Sequence, residues 1–363
     1  MTRAFPLGGD ALCFFMLFFL EEHCMSKTRD IAVVGMSGLV GESLLTVLDD
    51  HEFGFGQVHL LDTEEQAGNR LMLKGQSQRV EILEKFDFSQ VAVVVFADAW
   101  LASDWAGRAV AAGCRVVDAC GAFRHKPDVP LVVAEVNPQA LADLGTRGIV
   151  SCPDAQVVQT LVALQPLLAE GGLQGLTIAT YQSMSTLGGE EVEALALQTG
   201  RLLNGQPPEK GAFEKQAAFN LIPRVGELDE AGNSQLEQHL ADDVRRILAM
   251  PQLPIAITCV MVPIFFGSAQ VMQVRTAETL AEGRVAKLLR KAPGVKLLDK
   301  PAAGGYPTPV TDVTGSDHVW VGRVRQDSFD PTGISMWVVS DNLRKGVALN
   351  SLAVAQLLIK DYL

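Results

Sequence analysis

Aromatic residues make up only 6% of the sequence and charged residues 20%, and the cysteine and histidine spacing of a metal site is missing. None of Cys13, Cys24, Cys114, Cys120, Cys152 and Cys259 forms a CxxC pair, and the six histidines are dispersed, so no metal is expected. Scattered cysteines in a chain this long read as buried free thiols of a reducing compartment, which points to the cytoplasm. Basic charge is also short: 30 Lys and Arg face 42 Asp and Glu, a net −12. A phosphate backbone demands a basic face, so nucleic acid is excluded as a general partner. The ten apolar residues Ala11–Leu20 are too few to span a bilayer as a helix, and no membrane partner is expected. Only Arg3 supplies a basic flank for a signal peptide, and Glu21 and Glu22 follow where a cleavage site would lie. Met25 opens a clean domain start. Residues 1–29 therefore read as an N-terminal extension, from an upstream start or as a disordered tail, with a weak anchor or export signal as the other reading.

What is present is apolar material in regular blocks. At 363 residues and 48% hydrophobic, the chain has room for two domains with real cores. Strands are expected at Ile31–Val34, Gln57–Leu61, Val91–Phe96 and Arg115–Asp118, with helices at Ser43–Asp50 and Ala106–Gly113 between them. Strands alternating with helices imply βαβ units and a parallel sheet. After about residue 150 the texture changes. Gln156–Glu170, Leu236–Leu248 and Arg344–Leu363 read as helices. Leu176–Gln182, Ile255–Phe265, Trp320–Arg325 and Ile334–Val339 read as strands, and Gly200–Arg224 as loop.

The most specific local signal is Gly35-Met-Ser37-Gly38-Leu39-Val40-Gly41, which follows a strand and opens a helix. That context is the one a dinucleotide fingerprint requires. Gly35 suits a tight turn, Gly38 lets backbone N–H groups approach a pyrophosphate, and Gly41 permits close helix–sheet contact. The second strand ends in Leu61-Asp62-Thr63-Glu64-Glu65. Carboxylates there repel a 2′-phosphate and accept from free ribose hydroxyls, so NAD is favoured over NADP.

Six segments carry a family resemblance: VVGMSGLVGESLL (33–45), GAFRHKPDVPLVVAEVNP (121–138), AFNLIPRVGE (218–227), YPTP (306–309), VGRVR (321–325) and WVVSDNLRKGVALN (337–350). Together they resemble the aspartate-semialdehyde dehydrogenases, NADP-dependent enzymes that reduce an acyl phosphate through a cysteine thioester. The resemblance implies an α/β fold: an N-terminal Rossmann domain with a doubly wound parallel sheet (30–150), and an α+β domain for dimerisation and catalysis (151–341). A C-terminal helix (342–363) would return to the first domain, and the molecule would be a homodimer.

The resemblance also places the site residues, and several depart from the family pattern. The nucleophile position, in a segment like NPNCST, falls on Ala155, which has no lone pair for attack. The position of the family's histidine base falls on Ser268, which cannot titrate near neutral pH. Met261 replaces the arginine that holds the substrate carboxylate, and His239, near Glu237, replaces a lysine. The pair that meets the 2′-phosphate becomes Glu65–Gln66, and Asp98 and Trp100 stand where small residues are usual. Arg124 sits on the phosphate-binding arginine, Gln182 on a glutamine beside the nucleophile, and Asn342 on a residue near the nicotinamide. In this respect the chain resembles the Usg-type proteins, degenerate relatives of the enzyme. The expectation is a pseudoenzyme that keeps the fold, the dimer and dinucleotide binding, with an unidentified small molecule or protein as its partner. Two alternatives stand: an NAD-dependent oxidoreductase without a covalent step, and an active dehydrogenase in amino-acid biosynthesis that uses Cys152 or Cys120.

Overall fold

The computed structural model describes residues 29–145 and 147–363, so the N-terminal apolar run and Met25 lie outside the described residues. The first half begins β1 (Ile31–Val34), α1 (Leu39–Asp50), β2 (Val58–Asp62), the hairpin β3 (Arg70–Leu73) and β4 (Gln76–Arg79), and β5 (Glu81–Ile82). It continues through β6 (Val93–Phe96), α2 (Ala99–Ala111), β7 (Arg115–Asp118) and β8 (Ile149–Ser151). The second half contains α3 (Ala155–Gly171), β9 (Leu173–Gln182), α4 (Gly189–Leu203), α5 (Gln235–Ile247), β10 (Ile255–Met261) and β11 (Ser268–Thr276). Then come α6 (Glu282–Lys291), β12 (Val295–Leu297), β13 (Val319–Gln326), β14 (Gly333–Ser340), a π-helix (Arg344–Leu349) and α7 (Asn350–Tyr362).

The first sheet runs β5-β2-β1-β6-β7-β8, every pairing parallel. Its central strands are fully buried, IAVV and VVVF without alternation, because helices cover both faces. The strand order reverses between β1 and β6, which opens a crevice beyond their carboxyl ends where ligands bind in such sheets. The second sheet, β10-β9-β11-β14-β13-β12, is mixed, with an antiparallel centre and a parallel pair at each edge. Helix α3 packs on it with apolar side chains almost all round, from Val157 to Leu167. Helix α7 buries Leu352, Val354, Ala355 and Leu358 in the same cluster as Ile31, Val33, Val93 and Val95 of the first sheet.

Several boundaries differ from the sequence reading, and β11, α6 and most of α4 lie where it places no element; four of the differences have a local cause or consequence. Helix α2 starts at Ala99, because Asp98 caps it by accepting from Leu101 N at 2.9 Å. Strand β10 stops at Met261, two residues before Pro263, instead of reaching Phe265. Helix α4 runs through Gly200 to Leu203, where loop was expected, because a solvent-facing glycine weakens a helix without ending it. The closing helix starts as a π-helix over Arg344–Leu349. There Gly346 lies so close to α3 that a Cβ on it would sit 2.4 Å from the Ala155 Cβ.

Candidate active site

Two helix N-termini frame a cavity of about 190 Å³ between the sheets: Val40 in the first turn of α1, and Ala155, the first residue of α3. Cys120, Arg124, Cys152, Asp154, Ser185 and Asn342 are among its other lining residues.

The glycine-rich turn is built as its pattern implies. Gly35 adopts φ +92°, and a Cβ at Gly41 would sit 2.2 Å from the Gly35 carbonyl oxygen, so both positions require glycine. Gly38 caps α1 without a side-chain hydrogen bond, which leaves the first N–H groups of the helix to an external anion. Ser37 N donates to Asp62 Oδ2 at 2.9 Å and Thr63 N to Asp62 Oδ1 at 2.8 Å. Asp62, buried at the end of β2, thus ties the turn to the strand. Leu39 is the first residue of α1, beside Val40. The outer carboxylates are exposed; Glu64 pairs with Lys85 at 3.0 Å, and Glu65 lies on the same turn. These features fit a dinucleotide. The uncapped N-terminus suits its pyrophosphate, and acidic groups stand where its ribose would lie.

Behind Asp154 and Ala155, which line the cavity, a buried polar network is closed on itself; Gln156, Gln182, Ser268 and Gln270 belong to it and not to the cavity lining. Asp154 caps α3, its Oδ1 accepting from Gln156 N at 2.8 Å, and burial pushes its carboxyl up. Gln156 donates from Nε2 to Ser268 Oγ at 2.8 Å. Gln270 Nε2 donates to Gln156 O and Oε1, both at 3.0 Å, and Thr160 Oγ1 donates to Gln156 O at 2.8 Å. All four side chains are buried. Ser268 pairs directly with Gln182 across β11 and β9. Gln182 Nε2 donates to Thr180 Oγ1 at 2.9 Å, while its buried Oε1 accepts no hydrogen bond within the described residues. Asn342 accepts at Oδ1 from Gly267 N at 2.9 Å and donates from Nδ2 to Ser185 Oγ at 3.0 Å. It braces the turn before β11 against the cavity.

Two thiols face the cavity, and both are held neutral. Cys120 donates from Sγ toward Asp118 Oδ1 at 3.1 Å; burial and the Asp118 charge drive its thiol well above the ordinary range. Cys152 is 1% exposed, and burial pushes it up to about 12.

Arg124 stands in a small cationic group. Its Nε donates to His125 Nε2 at 3.2 Å, its Nη2 meets His239 Nδ1 at 3.4 Å, and the two imidazoles lie 4.3 Å apart between centroids. Burial first, then the Arg124 charge, pulls both histidines below the ordinary imidazole value. Arg246 on α5 donates from Nη1 to the Arg124 carbonyl at 2.7 Å and so fixes this loop. Asp128, four residues along, pairs with Arg147 and not with Arg124, which leaves the guanidinium to the histidines. Nearby Asp243 is 5% exposed, and burial raises its carboxyl to about 6. Its Oδ2 accepts no hydrogen bond within the described residues.

The structure therefore brings Val40, Arg124, Ala155 and Asn342 to one cavity, with His239 reaching Arg124. Glu237 is committed elsewhere. Its Oε2 accepts from Ser234 N in a capping box, and its Oε1 holds Cys259 N at 2.8 Å. Gln156, Gln270, His125 and Asp243 were not singled out from the sequence. A glutamine inside an apolar helix and an aspartate amid α5's apolar face were the available signals. Among the described residues, no group of three His, Cys, Asp or Glu could hold a metal, and no helix is long and apolar enough to cross a membrane.

Comparison with known proteins agrees with this architecture. The family described as "Semialdehyde dehydrogenase, NAD binding domain" matches residues 30–144, and "Semialdehyde dehydrogenase, dimerisation domain" matches residues 164–345. Aspartate-semialdehyde dehydrogenase 2 of Vibrio cholerae is 39% identical over 93% of this chain and 100% of its own length. A USG-1 protein homolog of Azotobacter vinelandii is 41% identical over 93% of this chain and 99% of its own. The crystal structure of aspartate semialdehyde dehydrogenase II complexed with ASA from Vibrio cholerae superposes with a TM-score of 0.89 at 38% identity, covering 93% of this chain and 100% of that one. The chain belongs to the aspartate-semialdehyde dehydrogenase family, which here includes the USG-1 homologs, and it combines a Rossmann-like NAD-binding domain with the family's dimerisation domain.

Proposed function

We propose that this protein binds a nicotinamide dinucleotide at the Gly35–Gly41 turn, as a homodimer, and does not run the family's thioester reaction at residue 155. One observation carries this reading: where a thiolate and a base would be needed, a methyl group stands beside a closed amide–hydroxyl network. Ala155 offers no nucleophile. Ser268 accepts a hydrogen bond from Gln156 and has no proton to exchange near neutral pH. Met261, fully buried, offers no charge to a substrate carboxylate. Losing a nucleophile or its base typically costs about 10⁴–10⁶ in kcat, and losing both costs little more. Arg124, with His125 and His239 beside it, offers a seat for an anionic group, and Glu64 and Glu65 favour NAD over NADP.

The relatives' names support a second reading better than the first: an active aspartate-semialdehyde dehydrogenase. Several close relatives carry that name, and Cys120 and Cys152 both line the cavity. Against it stand the raised thiols, since a nucleophilic cysteine must ionise near neutral pH. A third reading, an NAD-dependent oxidoreductase without a covalent step, rests on the acidic turn alone.

The experiment is a pair of measurements on the full chain. Titration calorimetry with NAD and with NADP should give saturable binding, tighter for NAD. An assay with aspartate semialdehyde, phosphate and either dinucleotide should give a rate at least about 10⁴ below an ordinary kcat of about 10 s⁻¹. An ordinary rate would establish the second reading, and Cys120→Ser and Cys152→Ser would then identify the thiol. Sedimentation at micromolar concentration should show a dimer.

A further inference from the structure

Among the described residues, five buried side-chain nitrogen or oxygen atoms make no hydrogen bond: Arg115 Nε, Arg147 Nε, Gln182 Oε1, Thr186 Oγ1 and Asp243 Oδ2. Native interiors leave few such atoms, and each calls for a reason. Of these residues only Thr186 lines the candidate cavity. It is partly exposed, but its hydroxyl oxygen is buried. It ends the short turn Met184–Thr186, which is braced from several sides. Met184 N donates to Ile264 O and Ser185 N to Phe265 O, both at 3.0 Å, and Thr186 N donates to Ser183 O at 3.1 Å. Asn342 Nδ2 holds the neighbouring Ser185 Oγ at 3.0 Å. Beyond the turn, Gly189 opens α4 against α1, where a Cβ would lie 3.9 Å from Leu39 Cγ. The backbone of Thr186 is thus fixed beside the glycine-rich turn, while neither hydrogen-bonding role of its hydroxyl is taken.

We propose that Thr186 is a ligand-contacting residue whose hydroxyl takes a polar group on the nicotinamide-riboside half of a dinucleotide. The inference rests on the dinucleotide reading above and assigns one residue within it. The sheet order gives the direction. Strand β1 has β2 on one side and β6, then β7, on the other. The carboxylates suited to the adenosine ribose follow β2. The cavity lies on the opposite side, lined by Ala119, Cys120 and Gly121 after β7 and by Cys152 and Pro153 after β8. Val40, in the first turn of α1, reaches the same cavity, so the part of the ligand beyond a pyrophosphate on that turn enters it. That part carries ribose hydroxyls and a carboxamide, groups that both donate and accept. A threonine hydroxyl also does both. Ser185 and Asn342, on the same lining, are already bonded to each other. A buried hydroxyl without a partner costs stability, so a threonine kept for the fold alone would be better replaced by an apolar residue of its shape. The unpaired hydroxyl is explained by a partner that arrives with the ligand.

The test uses the full chain and two probes, NAD and ADP, followed by calorimetry. ADP carries the adenosine and the pyrophosphate but lacks the half assigned to Thr186. Thr186→Val removes the hydroxyl at nearly constant shape; it should weaken NAD about five- to twentyfold and leave ADP within about twofold. Thr186→Ser keeps the hydroxyl and should hold NAD within about threefold of the wild-type chain. The melting temperature of Thr186→Val without ligand should equal or exceed that of the wild type, whereas a purely structural hydroxyl would lower it. Thr186→Ala is a second hydroxyl-free variant and decides the matter if Thr186→Val does not fold. NAD affinity within about twofold of wild type in a folded hydroxyl-free variant, or an equal loss for ADP, would overturn the inference and leave the dinucleotide reading standing. Absence of binding of both NAD and ADP to the wild-type chain would overturn the two together.

Discussion

The first turns of α1 and α3 reach the same cavity but are finished in opposite ways. Helix α1 begins after Gly38, with no side chain over its first N–H groups, so its positive end is available to an incoming anion. Helix α3 carries its own anion, Asp154, and its second residue is bound into a network of Gln156, Ser268, Gln270 and Thr160. The same element of structure is an open receptor in one place and a satisfied piece of core in the other. The difference teaches that a family scaffold does not settle chemistry; the number of polar groups left unsatisfied at the site decides what can still bind.

The largest effect is expected at the open end. Gly41→Ala places a methyl 2.2 Å from the Gly35 carbonyl oxygen, which is backbone and cannot step aside. Dinucleotide affinity should fall at least about a hundredfold by calorimetry, with a loss of about 2–3 kcal/mol in urea unfolding. At the closed end, Gln156→Leu takes the donor from the buried Ser268 hydroxyl and one of two acceptors from Gln270 Nε2, which keeps the residue-156 carbonyl. That should cost about 2–4 kcal/mol of stability while leaving dinucleotide affinity within about threefold. If Gln156→Leu instead abolished dinucleotide binding, the contrast between the two helix ends would fail.

The open end was legible because spaced glycines in a strand-turn-helix context, Gly35 among them with its positive φ, leave a linear signature. The parallel strands were legible for a similar reason, IAVV and VVVF being unbroken apolar runs. The closed end was not. Gln156 and Gln270 are 114 residues apart, and nothing local says that one amide finds the other. Asp243 and Arg124 come together only because Arg246 pins the Arg124 loop to α5. The hairpin of β3 and β4, with its exposed polar faces, and the short strands β5, β8 and β12 also escaped, since three or fewer residues, or polar ones, carry no period. The expected ends of α2 and β10 missed for local reasons, an aspartate cap and a proline.

A smaller effect is predicted beside the cavity. In the folded protein the Asp243 carboxyl titrates near 6, above its unfolded value of 3.8, mainly because it is buried. The folded state therefore binds this proton more tightly between those values. Stability falls as pH rises through that window, and the deficit is complete above about pH 6. Asp243→Asn removes the charge, so it should stabilise the protein by about 3 kcal/mol at pH 7.5 and by almost nothing at pH 4. Urea unfolding at the two pH values checks this. Equal effects at both would place the Asp243 contribution in packing and not in charge.

The smallest effect tests which carboxylate reads the ribose. Glu65 is exposed on the turn after β2, while Glu64 is engaged with Lys85 and Asp62 with the backbone of the glycine-rich turn. Of the three, Glu65 is the one not committed to those bonds, so it should repel a 2′-phosphate most directly. Salt screens such an exposed charge over a Debye length of about 8 Å at physiological ionic strength, which limits the effect. Glu65→Gln should shift the NAD-to-NADP affinity ratio toward NADP by about three- to tenfold, more at low salt, with no measurable change in melting temperature. Lys85→Ala should move the ratio the other way by a smaller factor, since it frees Glu64 from its partner. A ratio that ignores both substitutions would assign the discrimination to the buried Asp62, whose position is fixed by the fold and not by surface charge.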